Sequence, residues 1–444
     1  MDLSCQRFTP LLTLALVAGS LLWCLPARGE AEGRGGQSGS DQLIGRDDEP
    51  NRQGIIGGVR AASPASSFWD GASVLFKPRI YGFYRDREGA PEMAALAIGG
   101  GVEIRSGWAA ERIQLGAVIY GSQRIIGASD KDGTQLLKPG QESFSVLGEA
   151  NLTFRMHGDN LLRVGRQSFD LPYLSRHDIR MVPNTFEGIV VGRDAKDGLS
   201  YIAGYVSKIK RKNDDRFIPL SQAAGVSRGK DGMVLAGLQQ VFPNGSVVGA
   251  IGERTFDVMD TWHAKGQLIH GVNDMLSLRL SGQVTRQKSS GHALIGDFST
   301  HLHAAMLEAV VPRGSLRIAA SRAGRNKGLQ TPYGGSPNYL AIIVENFDRA
   351  GERAWMIGAS RSFSSDPSQG LSMFVNHAKG RTPGSGWKLD PDQSESDVTL
   401  DYRSPKNGQR SGLWFRARVA YINQRASQGG RDFVDARFIV NYEW

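Results

Sequence analysis

From Phe68 onward the chain is a succession of short segments in which apolar and polar residues alternate, separated by clusters of Gly, Pro, Asn, Asp and Ser. In Val74–Arg85, Val74, Phe76, Ile80 and Tyr84 share one parity while Lys77, Arg79 and Arg85 take the other. Side chains alternate across a strand, so this segment has one apolar and one basic face. The same split recurs in Leu276–Thr285, Ser315–Arg322, Val398–Arg403 and Leu413–Tyr421, where Leu413, Phe415, Ala417, Val419 and Tyr421 oppose Trp414, Arg416 and Arg418. No stretch carries a convincing helical period, and an all-β chain follows.

Alternation alone does not separate a soluble sandwich from a membrane barrel, since both have a half-apolar strand. The last segment does. Counting back from Trp444, the residues Tyr442, Val440, Phe438, Ala436 and Val434 form an apolar file, opposed by Glu443, Asn441, Arg437 and Asp435. A strand ending in Tyr442 and Trp444 is expected to set its rings at the membrane interface and its apolar file toward lipid. Terminal aromatics of this kind are, by resemblance to outer-membrane proteins generally, the signal read by the barrel-assembly machinery.

Composition narrows the compartment. Residues 1–29 combine a weakly basic start, an apolar run from Leu11 to Leu25 and small residues ahead of position 30, the pattern of a secretory signal. Both cysteines, Cys5 and Cys24, fall inside it, which leaves no mature disulfide or thiolate site. Residues 30–67 are rich in Gly, Ser, Asp and Arg, too polar to fold alone, and read as a mobile leader. Residues 68–444 then form a transmembrane antiparallel β-barrel: the mean hydropathy of −0.30 and the lack of any later apolar run near the length of a spanning helix leave only strands to cross a bilayer. At about 20–25 residues per strand and connection, the barrel has about 15–19 strands and a usable lumen. The net charge of +9 favours anions such as carboxylates, phosphates and lipopolysaccharide, while export disfavours nucleic acid.

Three segments carry a family resemblance. Arg163–Val190 reads RVGRQSFDLPYLSRHDIRMVPNTFEGIV, Pro332–Trp355 reads PYGGSPNYLAIIVENFDRAGERAW, and Gly412–Trp444 contains GLWFRARVAY and DARFIVNYEW. They resemble, in order, a strand with an inward loop, a long late loop, and the last two strands of the OprD family of outer-membrane porins. The resemblance implies a barrel of 18 strands, monomeric or homotrimeric, whose lumen is narrowed by inward loops. It also implies passive uptake of small solutes bearing carboxylates, such as amino acids, peptides or organic acids, along a file of arginines on one wall.

Arg416 and Arg418 fit such a file from the residues themselves, because they stand two apart on the non-lipid face, about 7 Å along the strand. A guanidinium is always charged and grips a carboxylate with two parallel hydrogen bonds. Arg166 and Arg180 join them by resemblance as further substrate-binding candidates. Asp178, Glu187, Asp348 and Glu352 match acidic positions of the family motifs and are expected to anchor loops or form the acidic side of the constriction. At Ser396 the chain departs from members with a fuller ladder, which carry a basic residue there; this puts selectivity for basic amino acids in doubt.

Other constellations are weaker. His301 and His303 could converge on one face, but no carboxylate or thiolate completes a metal site, and no cofactor is expected. Gly99–Gly101 lacks the Lys-Ser/Thr of a phosphate loop and reads as a turn or barrel bend. No G-x-S-x-G elbow appears, so the expected activity is transport in the bacterial outer membrane and not catalysis. The alternative is an outer-membrane or periplasmic β-protein with a rim hydrolase or glycan-binding activity.

Overall fold

The computed structural model describes residues 67–195, 197–366, 368–383, 390–404 and 412–443. The expected signal 1–29, all but the last residue of the expected leader 30–67, and Trp444 lie outside the described residues.

Period-two alternation is realised as strand after strand. They are β1 Ser73–Arg87, β2 Met93–Arg105, β3 Ile113–Ile126, β4 Phe144–Arg155, β5 Leu161–Gln167 and β6 Thr185–Arg193. Next come β7 Gly198–Lys210, the three-residue β8 Phe217–Pro219, β9 Met233–Val241, β10 Val247–Thr255, β11 Met259–Asn273 and β12 Leu276–Ser289. The remainder are β13 Ser299–Val311, β14 Gly314–Ala323, β15 Arg353–Ser362, β16 Gly370–Arg381, β17 Gln393–Arg403, β18 Trp414–Gln424 and β19 Phe433–Asn441. Apart from β8, each pairs antiparallel with the next strand of the ring, and β1 pairs with β19 from Arg79 opposite Asn441 to Arg87 opposite Phe433. The short β8 pairs with β7 alone and sits outside the ring, because β7 also pairs with β9. The ring is a closed barrel of 18 strands, in which the backbone of the wall is bonded strand to strand with no open edge.

Register turns the alternation into continuous surfaces. Leu268, Leu280, Leu307, Ile318 and Ile357 stand opposite one another on five neighbouring strands, β11 to β15, and all five are exposed. A belt of large apolar side chains of this extent on a closed sheet is a lipid-facing surface. The inward residues of the same strands, among them Arg279, Gln283, Glu308 and Arg317, are polar and covered. Connections also alternate: 106–112, 242–246, 274–275 and 312–313 are short, while 127–143, 168–184, 211–232 and 324–352 on the opposite rim are long. Short turns on one rim and long loops on the other are the periplasmic and external ends of an outer-membrane barrel.

The glycine run expected to be a turn or bend lies within β2. Gly100 has φ +114° opposite Pro78, and a Cβ there would run into the Lys77 carbonyl oxygen. Only glycine allows β1 and β2 to approach so closely at the seam. We expect Gly100→Val to destabilise the folded barrel by about 2–3 kcal/mol, read as a lower urea midpoint for the heat-modifiable band; an unchanged midpoint would show that the strand has room to relax.

Candidate translocation pathway

The lumen is divided by where apolar residues of the long loops find a partner. Phe169, Leu171 and Leu174 from loop 168–184, Leu220 of the one-turn helix α1 (Leu220–Ala223) and Tyr333 from loop 324–352 pack into one cluster with inward residues of β6 to β11, such as Val190, Ile202 and Ile251. The loops hold one another as well, with the Ser175 amide donating to the Tyr333 carbonyl at 3.1 Å. The Tyr173 hydroxyl reaches Thr285 of β12 at 2.9 Å. A second cluster seats Leu136, Leu137, Met181 and Val182 against Tyr81, Phe83 and Ala97 of β1 and β2. These contacts fix the loops inside the barrel, against β6 to β11 on one side and against β1 and β2 on the other.

At the seam, β18, β19 and β1 carry arginine-rich inward files, and β17 beside them sets Glu395, Asp397 and Asp401 inward ahead of Arg403. Inward residues of β1 include Lys77, Arg79, Arg85 and Arg87, with Tyr81 and Phe83 between them. Across the register Asp401, Arg416, Ile439 and Tyr81 form one row, and Thr399, Arg418, Arg437 and Phe83 the next. Aromatic faces interleave with the charges: Arg87 lies 4.3 Å from the Phe433 ring centroid, and Arg416 and Arg403 lie 4.5 and 5.0 Å from that of Trp414.

Acidic neighbours occupy several of these cations. Arg416 is fully buried and grips Asp401 with two bonds of 2.6 and 2.7 Å. Arg437 and Arg85 share Asp435, each at 2.6 Å, and Arg437 also donates to the Ile343 carbonyl of loop 324–352 at 3.0 Å. Arg79 holds Asp178 of loop 168–184 through 2.6 and 3.0 Å bonds. A buried pair fixes geometry, and losing one partner strands a charge.

The structure places each residue expected from the sequence. Arg416 and Arg418 both face the lumen, with Arg418 opposite Arg437, but the Arg416 guanidinium is closed off by Asp401 and Trp414. Arg166 corrects the expectation. It shares the outer file of Val164, stacks 4.3 Å over Phe217 and approaches Glu187 at 3.8 Å, while Arg163 takes the inward position beside Thr153. Glu187 is likewise on the outer face, paired to Lys208 at 3.1 Å, so it is no part of a constriction. Arg180 is buried between two loops, donating to the Thr134 and Ile179 carbonyls at 2.8 Å; burial draws its guanidinium down to about 10. Asp348 is buried in loop 324–352 and burial raises it to about 7, while Glu352 holds Arg349 at 2.9 Å and accepts from Gln393 at 3.1 Å. Tyr442 follows β19 and is exposed. Ser396 points outward and bonds His377; the inward residues flanking it are Glu395 and Asp397, so its identity says nothing about the ladder.

A cavity of about 550 Å³ remains between the seam wall and loop 168–184. Lys77, Arg79, Arg105, Arg176 and Arg403 line it against Glu103, Glu149 and Asp178, with Trp414 and Tyr120 as aromatic surfaces. Lys77 and Arg105 are half-exposed and share Glu103 at 2.7 and 2.5 Å. Arg403 has no ion pair among the described residues. The β1 file Lys77, Arg79, Arg85 was legible as a basic strand face; Arg105 and Arg403 gave no signal without the register that brings them beside it.

A closed sheet with apolar belt outside, charges inside and loops narrowing a water-accessible lumen defines a diffusion channel of the bacterial outer membrane. A family model described as outer membrane porin, OprD family, matches residues 66–444, and the chain belongs to that family. It is a channel and not an enzyme. Crystal structures of similar fold include Pseudomonas aeruginosa OccK9 (OpdG), with a TM-score of 0.76, 22% identity and coverage of 85% of this chain and 99% of that one. P. aeruginosa OpdK with vanillate gives 0.74, 21%, 85% and 100%, and Acinetobacter baumannii OccAB1 gives 0.75, 19%, 86% and 98%. Among curated proteins, none matches the chain significantly.

The Arg416–Asp401 geometry makes a prediction about stability. Arg416→Ala should cost about 3–5 kcal/mol in urea unfolding by leaving Asp401 buried and unpaired, whereas the double replacement Arg416→Met with Asp401→Leu should recover most of that loss. Equal stability of the single variant and the parent would show that water reaches the pair.

Proposed function

We propose that this porin passes small carboxylate-bearing solutes along the seam wall and through the cavity beneath loop 168–184. The observation that carries the reading is Arg403, a guanidinium on the cavity with no ion pair among the described residues and with the Trp414 ring 5.0 Å away. A carboxylate entering the cavity meets a planar donor able to hold both its oxygens, and an attached ring or chain meets Trp414. Half-exposed Lys77 and Arg105, shared by the single Glu103, provide a neighbouring rung, so a solute can be handed on and not trapped. The vanillate of the OpdK crystal structure is a carboxylate on an aromatic ring, a chemistry this wall also suits. The ladder residues taken from the sequence act in this reading at one remove: Arg418 adds charge to the wall, Arg416 fixes its geometry through Asp401, and Arg180 and Asp178 position the loop that narrows the path.

The test is single-channel recording of the purified barrel with benzoate, vanillate and acetate on one side. Arg403→Ala should lower anion preference and weaken benzoate block about five- to tenfold, the effect of one charge-assisted contact; unchanged selectivity and block would remove Arg403 from the path.

A second expectation comes from loop 211–232. The Lys212 amide donates to Asn184 of loop 168–184 at 2.9 Å and its ammonium lies 3.5 Å from His177. Burial, then Arg180, Arg437 and Arg211, bring the Lys212 ammonium down to about 7. Its charge is present below that value and lost above it. Anion preference should therefore fall as pH rises from about 6 to 8, and Lys212→Met should flatten that fall; an identical pH profile in the variant would mean that another group sets it.

A further inference from the structure

The outer surface carries cations where a lipid-facing wall ordinarily carries none. On β14, β15 and β16, Arg322, Arg353 and Arg381 stand directly opposite one another across two strand pairings, with His303 of β13 opposite Arg322. All four are exposed on the outward face, and none of the three arginines has an ion pair among the described residues. Neighbouring strands are about 4.8 Å apart, and like charges directly opposite destabilise a sheet. A row of this kind is stable when an anion sits against it.

Its height identifies the surroundings. Below Arg322 on the same face of β14 come Ala320, Ile318 and Leu316, so the arginine stands about 20 Å of strand above Leu316. Trp355, one step below Arg353 on β15, and Trp262 of β11, opposite Arg286 of β12, are both exposed at this level and mark the interfacial girdle. The long loops leave from the same end, so the row lies at the headgroup level of the external leaflet. Elsewhere on this rim, in the connection between β18 and β19, the exposed arginines are tied down: Arg431 donates to the Glu88 and Gly89 carbonyl oxygens at 3.4 and 2.7 Å, and Arg425 pairs with Asp392 at 3.2 Å.

We propose that Arg322, Arg353 and Arg381, flanked by His303 and Arg286, bind the phosphate groups of lipid A in the outer leaflet. Phosphate offers several strong acceptor oxygens, and two adjacent guanidiniums hold it through bidentate bonds that one cannot make alone. A shallow groove of about 710 Å³ lies beside the row, floored by Gly266, Gly282, Ala305 and Ala320 and edged by His303 and Arg322. Its small residues leave room for an acyl chain to lie against the sheet. A second copy of the barrel fits less well, because the face would bring unpaired cations into the contact.

The test uses the full chain purified in detergent, its fold confirmed by heat-modifiable mobility, with bound lipid counted by native mass spectrometry. Bisphosphorylated lipid A should remain bound to the parent protein and be released by added salt. At about fivefold per arginine, Arg353→Ser should weaken retention about fivefold, and the triple replacement of Arg322, Arg353 and Arg381 by Ser on the order of a hundredfold. Arg254→Ser, whose cation already pairs with Asp260 at 2.6 Å, should leave retention unchanged. The proposal is overturned if the triple variant and Arg353→Ser retain lipid A like the parent. Equal binding of lipid A stripped of its phosphates would also overturn it, as would a triple variant whose only change is loss of self-association. Inorganic phosphate that binds as tightly as lipid A would assign the row to a free anion and overturn it likewise.

Discussion

Inside hydrocarbon a backbone amide finds no water, so a sheet crossing a bilayer must bond both edges of every strand. In this protein that requirement is met by the pairing of β1 with β19, and the other features follow from it. Closure assigns each strand an inside and an outside, which converts plain alternation into a belt of Leu and Ile facing lipid and a charged interior facing water. It also sets the register that carries Asp401 to Arg416 and Asp435 to both Arg85 and Arg437.

The interior is asymmetric for a reason of packing. Loop 168–184 carries enough apolar residues, Phe169, Leu171 and Leu174, to bond hydrophobically to one wall, while its Asp178 reaches the other. On the β1 side Met181 and Val182 of the same loop pack against Tyr81 and Phe83, and the Tyr81 hydroxyl donates to the Ile179 carbonyl, so the loop bridges the lumen beside the arginines. The long late loop is tied in the same fashion, with the amides of Ile343, Val344 and Glu345 donating to the one carboxylate of Glu395 at 2.7 to 3.1 Å. Constriction thus results from loops fixed at both sides and not from a narrow barrel.

How much of this was readable before the structure can be judged residue by residue. Strand alternation in Val74–Arg85 and Leu413–Tyr421 reports directly on which side chains face lipid, because period two is a local property. Pairing is not local. Nothing near Arg416 in the chain says that Asp401 will cover it, and nothing near Arg403 says that it will be left open on a cavity. Arg166 and Glu187 were misplaced because the motif resemblance outweighed parity. Leu162 and Val164 already shared the face of Arg166, and the irregularity between Glu187 and Gly188 moves the phase of β6 against β7. The outer arginines were invisible for the opposite reason: each is an unremarkable strand-end cation until register sets three of them side by side.

The seam has one more consequence. The arginine-rich wall is assembled from β18 and β19 on one side and β1 on the other, which are the last and first parts of the barrel to be synthesised. Until β1 meets β19, Asp435 has no Arg85 beside it and the inward row that joins Arg418 and Arg437 to Phe83 is broken. An open sheet thus carries two half-tracks on separate edges, and only its closure makes them one surface.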